Sequence, residues 1–312
     1  MMGTQRLWIA AAAGAAVLAT NVMAPSPTAA QESTGAKLRV IASFSILGDF
    51  VRNVGGDRLE VATLVGPNGN AHVYSPSPAD AKKVSDAKLV FVNGLGFEGW
   101  LDRLVKASAT KAPIIVASKG IKPLERAGAH DRDHEHGSAD PHAWQSVANA
   151  KIYISNIRDA LIAADPAGKR DYESSAATYL ARLDALEREL RDTLGKIPLD
   201  RRRVITSHNA FGYFEAAYRI HFTAPQGVST ESEASAKDVA AIISAIRKEK
   251  VSAVFLENVT DPRLVQQIAS ETGAKVGGVL YSDALTDEKG DAPTYIDLIR
   301  HNLRQLASAL TS

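Results

Sequence analysis

From Lys37 onward, short apolar runs of strand length alternate with amphipathic segments of helical period, and the alternation is broken once, in mid-chain, by a long stretch almost free of Gly and Pro. Leu38–Phe44 (LRVIASF), Leu59–Val65 (LEVATLV), Leu89–Val92 and residues 114–117 read as short buried strands, with helical segments at 45–54, 77–87 and 97–107 between them. The second half repeats the pattern, with strands at 204–206, 251–256 and 274–280 and helices at 209–219, 236–248 and 261–272. Strand, short link, helix and strand again is the grammar of parallel sheets covered by helices. The expected fold is therefore α/β, two lobes that each hold a parallel-type sheet flanked by helices.

The interrupting stretch predicts a single helix over 166–196. Asp165 suits an N-cap and Pro166 the first helical position. Tyr179, Leu183, Leu186, Leu190 and Leu194 then recur at three- and four-residue steps, one apolar stripe. At 1.5 Å per residue such a helix is roughly 45 Å long, enough to run down a whole domain. Its position predicts a rigid link between an N-terminal lobe at 31–165 and a C-terminal lobe at 197–312.

Residues 1–30 are of another kind. Arg6 precedes an apolar run at 7–18 (LWIAAAAGAAVL), and small residues lead to candidate cleavage points after Ala24 or Ala30. This reads as a signal peptide and predicts export to a periplasm; an uncleaved membrane anchor is the alternative. The sequence has no Cys, which argues against a lipid anchor, disulfides and thiolate metal sites alike. Arg6 is one of 36 Lys and Arg, and residues 1–30 hold no acid, so the remainder balances 35 cations against 35 acids. A near-neutral chain without a basic stripe is a poor partner for nucleic acid.

With cysteine absent, metal chemistry would fall to His, Asp and Glu. His72 lies in a turn-rich segment (GPNGNAHVYSPSP) after the strand at 59–65, and His208 in Ser207-His208-Asn209-Ala210 after the strand at 204–206. Asp283 follows the strand at 274–280, and His142 stands in Asp140-Pro141-His142-Ala143-Trp144 ahead of a helix from about residue 145. Read singly, each is an ordinary loop histidine or turn acid. As a set they occupy similar loop positions, two in each half, and ligands bind outside the carboxyl ends of parallel strands. Three imidazoles and one carboxylate make a complete tetrahedral shell for a divalent transition metal, most naturally zinc, or a five-coordinate one if Asp283 is bidentate. No position is left for a reacting water, so the set predicts a carrier of metal rather than an enzyme. A polar loop at 126–139 (RAGAHDRDHEHGSA) adds His130, His134 and His136, which could collect zinc loosely. His221 and His301 fall in a strand-like and a helical stretch and read as structural.

The flanking residues carry a resemblance. Ala71-His72-Val73-Tyr74-Ser75-Pro76-Ser77-Pro78, Asn93-Gly94-Leu95-Gly96-Phe97-Glu98-Gly99-Trp100, Asp140-Pro141-His142-Ala143-Trp144 and Ser207-His208-Asn209-Ala210-Phe211-Gly212-Tyr213-Phe214 resemble the motifs of metal-binding receptors of ABC transporters that import zinc or manganese. Gly227-Val228-Ser229-Thr230-Glu231-Ser232-Glu233 resembles the loop that follows the third motif, and Asp283 falls where the last acidic ligand is expected. Ser75 stands where that family usually has an acid. The resemblance implies two lobes on one long helix with the metal in the cleft. It also implies delivery to an inner-membrane permease with a cytoplasmic ATPase. Manganese-selective members commonly carry Glu at the third ligand; His208 here tilts the expectation to zinc, with manganese as the alternative. The chain is expected to act as a monomer, and the histidine loop would suit docking of a periplasmic zinc metallochaperone. Two other classes stay open: a zinc metallohydrolase, for which no His-Glu-x-x-His motif is present, and a zinc buffer without a transport role.

Overall fold

The computed structural model describes residues 36–125, 139–249, 251 and 253–311. The expected signal peptide and the histidines at 130, 134 and 136 lie outside these residues.

The first half contains β1 (Leu38–Phe44), α1 (Ser45–Gly55), β2 (Leu59–Val65), α2 (Pro78–Asp86), β3 (Leu89–Val92), α3 (Leu101–Ser108) and β4 (Ile114–Val116). The strands form one parallel sheet in the order β2-β1-β3-β4, with Leu38 opposite Leu59 and Phe44 opposite Val65 at the two ends of the first ladder. Apolar residues fill both faces of β3, and β1 is buried from Val40 onward, as expected of central strands covered by helices.

Two helices follow, α4 (Val147–Ala164) and α5 (Lys169–Leu194). The sequence placed Asp165 as a side-chain cap for the long helix, but its side chain makes no capping hydrogen bond. Its Oδ2 instead accepts from Arg58 Nε and Nη2 at 3.0 and 2.9 Å and from the Tyr172 hydroxyl at 2.8 Å. The first turn, Pro166–Gly168, is a 3-10 turn, and the α-helix proper has 26 residues. Tyr172, Ala176, Tyr179, Leu183, Leu186, Leu190 and Leu194 form its buried stripe.

The second half holds β5 (Arg203–Ile205), α6 (Gly212–Tyr218), β6 (His221–Thr223), α7 (Ala236–Glu249), β7 (Ala253–Glu257), α8 (Arg263–Thr272), β8 (Val276–Leu280) and α9 (Tyr295–Thr311). Its sheet is also parallel, in the order β6-β5-β7-β8, so the two halves share one strand order. Helix α5 packs on α1 and α4 from the first half and on α6 and α9 from the second. Asp49 of α1 joins three helices: its buried Oδ2 accepts from the Tyr179 hydroxyl of α5 at 3.2 Å and from the Tyr295 amide opening α9 at 3.1 Å.

One continuous apolar core therefore runs from the first sheet through α5 into α9. A second, smaller core of Ile205, Ile242, Ile246, Val254, Val265, Ile268 and Ala269 lies between the second sheet and the α7–α8 layer. Among the described residues no helix is long and apolar enough to cross a membrane.

Candidate metal centre

Three of the four singled-out residues lie on loops that leave the carboxyl ends of strands, His72 after β2, His208 after β5 and Asp283 after β8, and His142 immediately precedes a 3-10 turn leading into α4. The structure brings all four together: one ligand atom from each lies within 4.8 Å of the others. His72 Nε2 is 3.3 Å from His142 Nε2 and 3.3 Å from Asp283 Oδ2. Asp283 Oδ2 is 3.1 Å from His208 Nε2, and Asp283 Oδ1 is 3.6 Å from His142 Nε2. A tetrahedron with metal–ligand bonds of 2.0–2.1 Å has edges of about 3.3–3.4 Å, so the separations of 3.1–3.6 Å lie near those edges, while the 4.8 Å limit of the whole set exceeds them.

Two of the imidazoles have a carboxylate behind the ring, and the third is held through its backbone. His142 Nδ1 and its backbone N–H both meet Asp140 Oδ1, at 2.8 and 2.9 Å. His208 Nδ1 lies 2.6 Å from Glu257 Oε2, while Glu257 Oε1 accepts the backbone N–H groups of Ser207 and His208. Such outer carboxylates select the tautomer that leaves Nε2 free and orient the ring. The His72 amide donates to Asn70 Oδ1, and Trp100 Nε1 donates to the carbonyl of Ala71. Asp140 stood inside a motif whose histidine alone was singled out, and Glu257 was missed altogether, being 49 residues from His208 in sequence.

The Asn93–Trp100 signature holds the neighbouring backbone. Glu98, buried, accepts from Ser43 Oγ and the Asn93 amide at 2.6 Å and from the Gly94 amide at 3.1 Å. Burial pushes its carboxyl up, against the pull of those hydrogen bonds. Asn93 Nδ2 donates to the carbonyl of Pro141, next to His142. Gly94, Leu95 and Gly96 all have left-handed φ, and a Cβ on Gly94 would sit 2.6 Å from Val116, so glycine is required there.

The two halves meet at the site. Trp144 Nε1 and Gln145 Nε2 both donate to the carbonyl of Ser282, and the Leu285 amide donates to Ser45 Oγ. Asn70 Nδ2 donates to Thr230 Oγ1 and to the carbonyl of Val259. Phe97 and Trp144 wall the imidazoles, with ring centroids 4.8 Å from His72 and 5.3 Å from His142.

The buried groups carry charges that suit a cation. His208 Nε2 and both Asp283 oxygens are buried, close to one another but without an aligned hydrogen bond. Burial opposes charge on His208, but Glu257 and Asp283 outweigh it and hold its imidazole well above the usual range. Burial likewise opposes charge on Asp283, and His208 and His142 reverse it, holding the carboxyl well below. His72 goes the other way: burial lowers it, and Asp283 only partly compensates. Orphaned buried polar atoms of this kind are costly unless a ligand satisfies them.

The other histidines lie elsewhere. His301 Nε2 is 3.0 Å from the carbonyl of Val279 and packs on Tyr281, and His221 Nδ1 is 2.8 Å from Glu215 on the surface.

Across residues 40–309 the sequence matches the family described as ZnuA, zinc-uptake complex component A, periplasmic. The iron-binding protein YfeA of Yersinia pestis is 36% identical over 275 residues, 88% of this chain and 86% of that protein. The manganese-binding lipoprotein MntA of Halalkalibacterium halodurans is 33% identical over 279 residues, 89% of this chain and 90% of its own. Among solved structures, the periplasmic zinc binding protein TroA from Treponema pallidum superposes with a TM-score of 0.82 at 27% identity, covering 88% of this chain and 99% of that one.

Proposed function

The chain belongs to the ZnuA family of periplasmic metal-uptake components, and from that premise we propose that it is a high-affinity zinc receptor whose ligands are His72, His142, His208 and Asp283. Members of this family are substrate-binding receptors of ABC transporters, not enzymes, which removes the hydrolase alternative. They are extracytoplasmic proteins that serve a membrane permease and its ATPase. Divalent metal is therefore the cargo, and the finer reading concerns which metal.

The observation that carries zinc is the donor set: three buried imidazoles and one carboxylate whose ligand atoms all lie within 4.8 Å of one another. Zinc accepts four nitrogen and oxygen donors readily, whereas manganese favours oxygen-rich shells of higher coordination. A manganese receptor of the same fold is the second reading, favoured by the iron- and manganese-binding relatives. Elemental analysis of protein purified from the periplasm, with zinc and manganese then competing for the site, decides between them. Protein loaded with manganese and resistant to zinc exchange would overturn the zinc assignment. Unchanged affinity in both His208→Ala and Asp283→Ala proteins would overturn the ligand set.

The remaining parts of the reading follow from the sequence. Residues 1–30 direct export, 31–165 and 197–312 form the lobes, and 166–196 links them. The receptor works as a monomer. His130, His134 and His136 gather zinc at the surface and offer a docking point for a metallochaperone that loads the site. Deleting 126–138 and measuring zinc transfer from a donor protein tests that role. Loss of zinc uptake on removal of a neighbouring permease separates a receptor from a buffer.

A further inference from the structure

Of the four proposed ligands only His72 reaches the surface, 5% exposed against 0% for His142, His208 and Asp283. Its edge opens on a recess of about 20 Å³, room for roughly one water. Phe97 and Gly99 form one wall, Ser229 and Glu231 the other, with Pro141 beside them. Apart from His72 itself, Glu231 is the one titratable side chain on this lining. Its carboxylate reaches over Gly99, where even a Cβ would come only to 3.9 Å from Oε1. Among the described residues no cation pairs with it; its backbone N–H donates to Ser229 Oγ, which fixes the turn that carries it.

We propose that Glu231 is an outer capture site for the hydrated divalent cation, from which the ion passes to His72 and then to the buried ligands. This deepens the metal-receptor reading and rests on it. The chemistry is simple ligand exchange. The carboxylate displaces one water from the aquated ion at the rim, His72 Nε2 displaces a second, and the carboxylate leaves as the buried donors close the shell. Nothing is oxidised, and Glu231 gives up no proton. A single negative charge beside an apolar wall also concentrates cations at the opening. Gly99 places no side chain beneath the carboxylate, so the aquated ion meets Glu231 at the rim and sheds water before it enters the recess.

Rapid-mixing measurement of zinc binding to the full receptor, followed by tryptophan fluorescence and compared with Glu231→Gln, tests this. A rim charge acts on the association rate and its salt dependence, so Glu231→Gln is expected to slow association by roughly three- to tenfold at low salt. The difference should shrink at high salt as screening removes the attraction. Dissociation is expected to slow in step, leaving Kd changed by less than about threefold, since a group bound only in transit lowers the barrier in both directions. Glu231→Asp should recover part of the rate. Equal association rates for wild type and Glu231→Gln at low salt would overturn the capture site while leaving the receptor reading intact. A loss of more than about a hundredfold in Kd, with an altered cobalt(II) spectrum, would make Glu231 a permanent ligand and overturn it too. If the wild-type protein bound no divalent metal, the receptor reading itself would fail.

Discussion

Glu257 grips His208 from two directions, its Oε1 accepting the His208 amide at 2.9 Å and its Oε2 lying 2.6 Å from the Nδ1 of the same residue. One carboxylate thus holds the backbone of a proposed ligand by hydrogen bonds and lies against its ring, the Nδ1–Oε2 pair being close but not aligned as a hydrogen bond. Glu257→Gln keeps the shape but removes the charge and one acceptor. Zinc affinity is expected to fall by roughly 10- to 100-fold, the usual consequence of losing such a partner. A chelator competition assay reads the change, and an unchanged Kd would show that ring orientation does not depend on Glu257.

Acid should act through His208. Its folded value is raised, so its charge stabilises the metal-free protein fully below about pH 6.5, and that contribution fades as pH rises through the folded value. Asp283 is depressed, so its contribution is present above about pH 4 and is lost as pH falls through its folded value. Zinc must replace the His208 proton. Binding at pH 7 is therefore expected to release about one proton per ion and to tighten by about tenfold per pH unit. Titration calorimetry in two buffers of different ionisation enthalpy measures the proton count; a count of zero would mean that His208 is already neutral.

His208→Glu alone would set two buried carboxylates side by side, His208 now lying 2.6 Å from Glu257. Like charges at that distance resist ionising together. The single variant is expected to lose affinity for every metal, while the double variant His208→Glu with Glu257→Gln recovers manganese binding and shifts the manganese-to-zinc ratio upward. Competition between the two metals followed by elemental analysis distinguishes the cases. Equal selectivity in wild type and double variant would remove His208 as the discriminating ligand.

Asn70 links a proposed ligand to the opposite lobe. Its Oδ1 accepts from the His72 amide, and its Nδ2 donates to Thr230 and Val259. Each such bond contributes about 1 kcal/mol. Asn70→Ala should raise the zinc off-rate by roughly tenfold or more, and Asn70→Asp, which keeps the acceptor toward His72, should lie between it and wild type. Identical off-rates for the Ala and Asp variants would assign the whole effect to the cross-lobe donors.

Much of this architecture was legible because it is local. Leu38–Phe44, Leu59–Val65 and Leu89–Val92 are strands as read, since each is a short, mainly apolar run of strand length, unbroken and fully buried in Leu89–Val92. The stripe from Tyr179 to Leu194 declares its helix in the same way. What was misread depends on distant partners. Asp165 looked like a cap, and the capping geometry gave way to Arg58, 107 residues away. The helix expected from residue 209 starts at Gly212, because the Glu257 contacts and the bridge from His208 to Gln226 hold the preceding segment extended. Glu257 itself left no mark, since a glutamate closing an apolar strand carries no periodic signal. The strand order was likewise invisible, being a matter of which runs pair rather than which runs exist.

The small core beneath α7 and α8 has a consequence for how the protein comes apart. Among the described residues seven buried side chains, with a few partly buried ones packed on them, hold that layer, whereas the main core is continuous through the long helix. The layer should open as a unit of its own, at lower free energy than global unfolding. Val254 of that core sits on β7, the strand that ends in Glu257. Openings that lift only α7 and α8 leave His208 held and are indifferent to cargo; those that loosen β7 release the histidine and are suppressed by bound metal. Amide exchange should therefore sort the second sheet from its outer helices by whether protection rises when the ion is present.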